Sequence, residues 1–236
     1  HLQVSRSIIP LIITFIIFIL VAIQPDLGTA LILLILGCLM IFFIGIRLIY
    51  PILISLIIIA MSPFLWTFLK PYQQSRVKTF LNPDLDPLGR GYHIIQSKIA
   101  IGSGGTRGNG FLGGSQSSLD FIPEKETDFV FSIFAEQFGF IGSIILISIF
   151  ILLIIIPIIK SINIQNTFVK LAILGLSIKL LIEVVINISM TLGILPVVGV
   201  ALPFMSYGGS SLLSNMIICA LIMNLMSVEK KFKYFR

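Results

Sequence analysis

Gly142-Ser143-Ile144-Ile145-Leu146-Ile147-Ser148-Ile149-Phe150-Ile151-Leu152-Leu153-Ile154-Ile155-Ile156-Pro157-Ile158-Ile159 runs through eighteen residues without a charge. A helix needs about 20 predominantly apolar residues to cross ~30 Å of hydrocarbon, so this run reads as the body of a membrane span. It belongs to an apolar segment from Phe129 to Ile159, and five others repeat the pattern: Ile8 to Ile23, Thr29 to Ile46, Leu48 to Leu69, Phe168 to Leu195 and Gly208 to Met226. A mean hydropathy of +1.09 with 11% charged residues excludes the soluble classes. The expected fold is all-α, a polytopic transmembrane helical bundle of about six spans, forming one transmembrane domain over residues 1–236. The segment from Phe129 to Ile159 exceeds what one span requires and carries Gly139 and Gly142 in its middle. Its first part is therefore expected to be a re-entrant or interfacial helix ahead of the true span.

The net charge of +6 does not point to nucleic acid, because the basic residues sit mainly at the ends of apolar runs, where they orient helices. Arg6, Arg47, Lys160 with Lys170, and the tail Lys230, Lys231, Lys233 and Arg236 mark connections expected in the cytoplasm, along with both ends of the chain. The Gln24-Pro25-Asp26 turn, the stretch from Lys70 to Asp128 and the connection from Pro196 to Tyr207 then share the outer face. The Lys70 to Asp128 stretch holds seven Lys or Arg against six Asp or Glu, which the charge rule alone would not place outside. Long loops obey that rule poorly, so the short connections decide. Cys38 and Cys219 lie in separate apolar segments and read as packing residues. With only His1 and His93, no His-rich metal site or HExxH motif can be built. No cleavable signal peptide is evident. A start on His1 and not Met suggests an N-terminally incomplete chain.

The polar stretch 70–128, read as one long extracytoplasmic loop, is where chemistry on a polar substrate should be sought, since lipid-facing Ile and Leu cannot supply it. Its glycine run from Gly102 to Gly114, with Gly104 and Gly105, would let backbone N–H groups approach an anion closely. It includes a literal GxGxxG from Gly108 to Gly113, but no strand-helix unit surrounds it, and a flexible loop is the competing reading. Arg76, Lys78, Arg90, Lys98 and Arg107 could complement a diphosphate or anchor to lipid headgroups. Asp128 reads either as an N-cap for the helix that follows or as a carboxylate at the water–hydrocarbon boundary able to act as a general base. Glu124, Glu126 and Glu136 compete for that role. Asp26 reads first as a helix cap. Lys179 and Glu183, four apart, could pair along one helix face, as a structural tie or as part of a substrate path. Ser206-Tyr207-Gly208-Gly209-Ser210-Ser211 is no nucleophile elbow, and its small residues suit close helix packing.

These motifs together resemble one family, the SEDS proteins (shape, elongation, division and sporulation). The resemblance is carried by Gln24-Pro25-Asp26-Leu27-Gly28-Thr29, Arg76-Val77, Asp86-Pro87-Leu88-Gly89, and Gly91-Tyr92-His93-Ile94-Ile95-Gln96-Ser97-Lys98-Ile99-Ala100-Ile101-Gly102-Ser103-Gly104-Gly105. It continues through Gly114-Ser115-Gln116-Ser117, Pro123-Glu124, Thr127-Asp128-Phe129, Asn187, Gly193-Ile194-Leu195-Pro196-Val197-Val198-Gly199-Val200, Leu202-Pro203 and Ser206-Tyr207-Gly208-Gly209-Ser210-Ser211. Leu195 to Gly199 and Phe111 to Gln116 resemble the elongation branch more than the division branch.

The resemblance implies a peptidoglycan glycosyltransferase that polymerises lipid II on the outer face of the bacterial cytoplasmic (inner) membrane during cell elongation and rod-shape maintenance. Its implied partners are a class B penicillin-binding protein and other elongation-complex membrane proteins. Asp128 matches the family's essential outer-loop aspartate, with the implied role of general base. Arg76, Lys98, Gly104, Gly105, Arg107 and Ser206 are the implied substrate-binding residues. A divalent cation, Mg2+ or Mn2+, could assist, although the sequence shows no cage for one. The resemblance covers the last six of the roughly ten spans usual in the family.

Two other classes compete. A lipid II flippase would also need spans, a polar cavity and buried charges, but should place them near the bilayer midplane. A truncated, non-catalytic partner of the elongation machinery would keep the helices without the activity.

Overall fold

A computed structural model describes residues 2–24, 26–45, 70–83, 89–111, 113–114 and 126–234, with isolated positions at 56, 60, 61, 64, 66 and 67. Among the described residues the chain is helical throughout: α1 (Leu2–Ile23), α2 (Leu27–Phe43), α3 (Pro71–Leu81), α4 (Arg90–Ser103), α5 (Val130–Ile162), α6 (Thr167–Thr191) and α7 (Gly209–Tyr234). Three stretches are long and apolar enough to cross a bilayer, Val130–Ile162, Thr167–Thr191 and Gly209–Ser227, with shorter apolar helices at Ile8–Ile23 and Gly28–Phe43. This is a polytopic membrane protein. The expected span from Leu48 to Leu69 lies largely outside the described residues.

The chain divides into two compact units, His1–Ser75 and Arg76–Arg236. In the first, α1 packs on α2. Their approach is close at Gly37, where an added Cβ would strike the Thr14 side chain, and Thr14 keeps its hydroxyl satisfied by donating to the Pro10 carbonyl at 2.8 Å. Small residues let membrane helices draw together where the hydrophobic effect gives no help. Asp26 is the N-cap of α2 and accepts from Thr29 N–H at 3.1 Å, as its position suggested.

In the second unit α5, α6 and α7 pack against one another around Phe131, Phe150, Ile173, Leu180, Leu202 and Ile218. The opposite face of α5 carries Ile145, Ile149, Leu152, Ile156 and Ile159, all exposed at helical spacing, as a helix facing lipid requires. Asn166 caps α6, accepting from Phe168 and Val169 N–H.

The stretch 70–128, expected as one long extracytoplasmic loop, contains two helices that the sequence reading did not identify. The buried positions of α4 are Gly91, Ile94, Ser97 and Ala100, spaced by three, and α4 lies against α5 and α6. Three of those four are small, so the stripe carries little hydrophobic signal even though its spacing is helical.

The doubled length of α5 has a local cause. At Gly139 the backbone leaves helical geometry, with φ 66° and ψ −164°, and splits the element in two. The part after the break, about 23 residues, spans ~34 Å, close to the hydrocarbon thickness. The part before it buries Phe131, Ser132, Ala135, Glu136 and Gln137 against protein. A break at glycine ahead of the true span is the arrangement the sequence predicted.

Candidate active site

Asp128 sits in the turn Glu126 to Phe129 that leads into α5, half-buried. The N-cap position falls one residue later, on Phe129, whose side chain cannot cap. The Phe129 carbonyl is the first to join the helix, accepting from Ser132 N–H. The carbonyls before it need other partners. They find them in the connection between α6 and α7. Tyr207 N–H donates to the Glu126 carbonyl at 2.7 Å. The Ser206 hydroxyl donates to the Thr127 carbonyl at 2.6 Å and accepts from Leu202 N–H at 2.7 Å. Asn187 Nδ2, fully buried on α6, donates to the carbonyls of Asp128 at 3.1 Å and Val200 at 2.7 Å. Two of the three connections expected on the outer face are thereby joined.

The Asp128 carboxylate lies over Gly199: a Cβ there would stand 3.6 Å from Oδ2, and the glycine's φ of +78° is one that side chains rarely adopt. Behind the carboxylate, Phe129 is buried against Ala100, with Ile133 and Val197 packed around the pair. The His93 ring lies 6.1 Å from that of Phe129, and its Nδ1 is buried without a hydrogen-bond partner. Asn187 entered the sequence reading only among the quoted motifs, and His93 only there and as one of the two histidines. For Asn187 the available signal was a polar side chain within an apolar helix, which membrane proteins keep for a purpose; His93 lies on a helix of mixed composition and gave no such signal.

The glycine run is an ordered clasp on the break in α5. Breaking the helix at Gly139 frees carbonyls and N–H groups that must be paired. Asn109 and Gly110 N–H donate to the Glu136 and Gln137 carbonyls, both at 3.0 Å, and the Gly105 and Thr106 carbonyls accept from Phe140 and Ile141 N–H at 2.9 and 3.2 Å. At two positions the approach leaves no room for a side chain. A Cβ on Gly104 would strike the Ala135 carbonyl, and one on Gly108 the Gln137 carbonyl. Gly104 is buried there, while Gly105 and Arg107 are exposed on the outer side of the clasp. The Glu136 carboxylate is buried beside Gly114.

Lys98 projects from α4 across Gly193, just past the end of α6, so closely that a Cβ there would meet its Nζ at 2.7 Å. One residue earlier the Ser97 hydroxyl donates to the Thr191 carbonyl at 2.8 Å, fixing α4 to the end of α6. Arg76 begins the second unit on α3, half-buried. Asp128, Ser206, Lys98 and the clasp residues Gly104, Gly105 and Arg107 are thus carried by elements packed on one another. Of the competing carboxylates, Glu126 is exposed and Glu124 lies outside the described residues.

Lys179 and Glu183 pair along α6 at 2.8 Å, as their spacing suggested, and Lys179 also donates to Asn215 Oδ1 on α7 at 2.9 Å. The pair ties two spans together. Among the described residues no three His, Cys, Asp or Glu side chains gather. The described carboxylates and imidazoles therefore do not form a side-chain cage for Mg2+ or Mn2+.

A family model named FTSW_RODA_SPOVE and described as "Cell cycle protein" matches residues 1–231. The chain belongs to this family, the SEDS family that its motifs resemble. Among curated relatives, Peptidoglycan glycosyltransferase MrdB of Escherichia coli (strain K12) is 46% identical over 225 residues, covering 94% of this chain and 60% of that protein. Peptidoglycan glycosyltransferase RodA of Treponema pallidum is 45% identical over 157 residues, covering 66% of this chain and 36% of that protein. A solved peptidoglycan synthase complex, described by its coordination of polymerization and crosslinking, contains a chain 35% identical to this one with a TM-score of 0.74, covering 94% of this chain and 61% of that one. The chain therefore spans about three-fifths of the E. coli relative and of the solved chain.

Proposed function

We infer that this chain carries the catalytic part of a peptidoglycan glycosyltransferase polymerising lipid II on the outer face of the bacterial inner membrane. The supporting observation is the placement of Asp128, a half-buried carboxylate at the head of α5, lying over Gly199 on a turn whose carbonyls accept from the Asn187 and Ser206 side chains. In the reaction, the 4-hydroxyl oxygen of the acceptor GlcNAc attacks the anomeric carbon of the donor sugar. The new C–O bond forms as the bond to the diphosphate breaks. Asp128 takes the hydroxyl proton, and undecaprenyl diphosphate leaves with the electron pair. Arg76, Lys98 and Arg107 supply positive charge for the diphosphate, where electrostatic stabilisation counts most.

The names of the relatives and the description of the solved complex favour polymerase activity, alongside a class B penicillin-binding protein that cross-links the product. Other elongation-complex membrane proteins complete the proposed assembly. The termini of this chain are assigned to the cytoplasm and the Asp128 turn to the outer side. A flippase would use its buried charges along a substrate path, whereas Lys179 is engaged with both Glu183 on its own span and Asn215 on the next.

The test is incubation of the purified full-length protein with lipid II, with and without the penicillin-binding partner. Glycan strands are expected on a gel. Movement of lipid II between leaflets with no polymer would overturn the assignment.

A further inference from the structure

We propose that Asn187 and Ser206 are positioning residues for the Asp128 carboxylate, acting through a three-point hold on the backbone that bears it. The inference rests on the glycosyltransferase reading above. Three consecutive carbonyls, those of Glu126, Thr127 and Asp128, accept from Tyr207 N–H, the Ser206 hydroxyl and Asn187 Nδ2. All three carbonyls precede the first helical acceptor of α5, so no helical bond would fix them otherwise. Their donors come from the last turns of α6 and the connection to α7.

Neither side chain has a proton to spare. Asn187 commits both Nδ2 protons, one to the Asp128 carbonyl and one to the Val200 carbonyl. It thereby joins the turn to the connection beside Gly199, over which the carboxylate lies. The Ser206 hydroxyl proton goes to Thr127, and its oxygen receives Leu202 N–H, so the hydroxyl bridges the same two segments. Both bridges hold the backbone that places the carboxylate over Gly199. A catalytic group displaced by about 1 Å loses as much as a hundredfold in rate, while a binding surface made by other residues is untouched.

The variants are Asn187→Leu, close in size and without donors, and Ser206→Ala. Each is measured in the full-length protein for lipid II binding, polymerisation rate and thermal unfolding, beside wild type and Asp128→Asn. Both are expected to polymerise about tenfold to a hundredfold more slowly, and Asn187→Leu to bind lipid II with wild-type affinity. Ser206→Thr, which keeps a hydroxyl, is expected to recover much of the rate. Should Asn187→Leu fail to fold, Ser206→Ala and Ser206→Thr carry the test. Weakened lipid II binding with an unchanged maximal rate would overturn the proposal, placing these residues on substrate. So would a rate unchanged per folded molecule, or no recovery in Ser206→Thr. A wild type that makes no polymer would instead sink the glycosyltransferase reading, whereas an active wild type, an inert Asp128→Asn and fully active Asn187→Leu and Ser206→Ala would sink this inference alone.

Discussion

Asp128, Asn187 and Lys179 are three polar residues that an apolar sequence makes conspicuous, and the structure uses each differently. Asp128 is carried into place, Asn187 carries it, and Lys179 joins two helices. The last gives a stability prediction. Lys179→Met removes the cation paired with Glu183, and breaking one side of this part-buried pair is expected to cost up to about 3 kcal/mol. Replacing both Lys179 and Glu183 with apolar residues is expected to cost less than the single change, and thermal unfolding in detergent decides it. The pairing could be read from i, i+4 spacing, whereas the third member, Asn215, lies 36 residues away and is brought near only by packing of α6 on α7.

Gly139 and the clasp around it show what a local pattern can and cannot disclose about an element. A 33-residue apolar helix is too long for one span, and a glycine in its middle marks where it breaks. That much was legible. The partner of the break was not, because its bonds run between backbones, from Gly105, Thr106, Asn109 and Gly110, and no side-chain pattern encodes them. The glycine run, open in sequence to readings as an anion cradle or a flexible loop, spends several of its backbone groups on α5. Substitutions should separate these uses. Gly108→Ala combines φ +80° with a collision against the Gln137 carbonyl and is expected to destabilise by more than about 1 kcal/mol. Gly102→Ala meets open space within a helix and is expected to stay within about 0.5 kcal/mol of wild type or to gain slightly. Denaturation of the two variants side by side measures the difference.

Across the whole molecule, apolar runs revealed the class of fold, and the spans Val130–Ile162, Thr167–Thr191 and Gly209–Ser227 fall close to the segments read from sequence. Helix α4 was missed because Gly91, Ser97 and Ala100 on its packed face carry little apolar signal. The proposed orientation has its own check. With Cys38 and Cys219 replaced by alanine, Thr106→Cys should react with a membrane-impermeant maleimide added outside intact cells, and Asn163→Cys, exposed at the far end of α5, should not. The reverse pattern would put the site on the wrong side of the membrane. The most direct measurement concerns the carboxylate itself: lipid II binding and polymerisation by the full-length protein carrying Asp128→Asn, which keeps the side chain's shape and removes its capacity as a base. Wild-type binding with polymerisation slowed at least about a hundredfold is expected, and glycan made at an undiminished rate would contradict the assignment of Asp128 as the base.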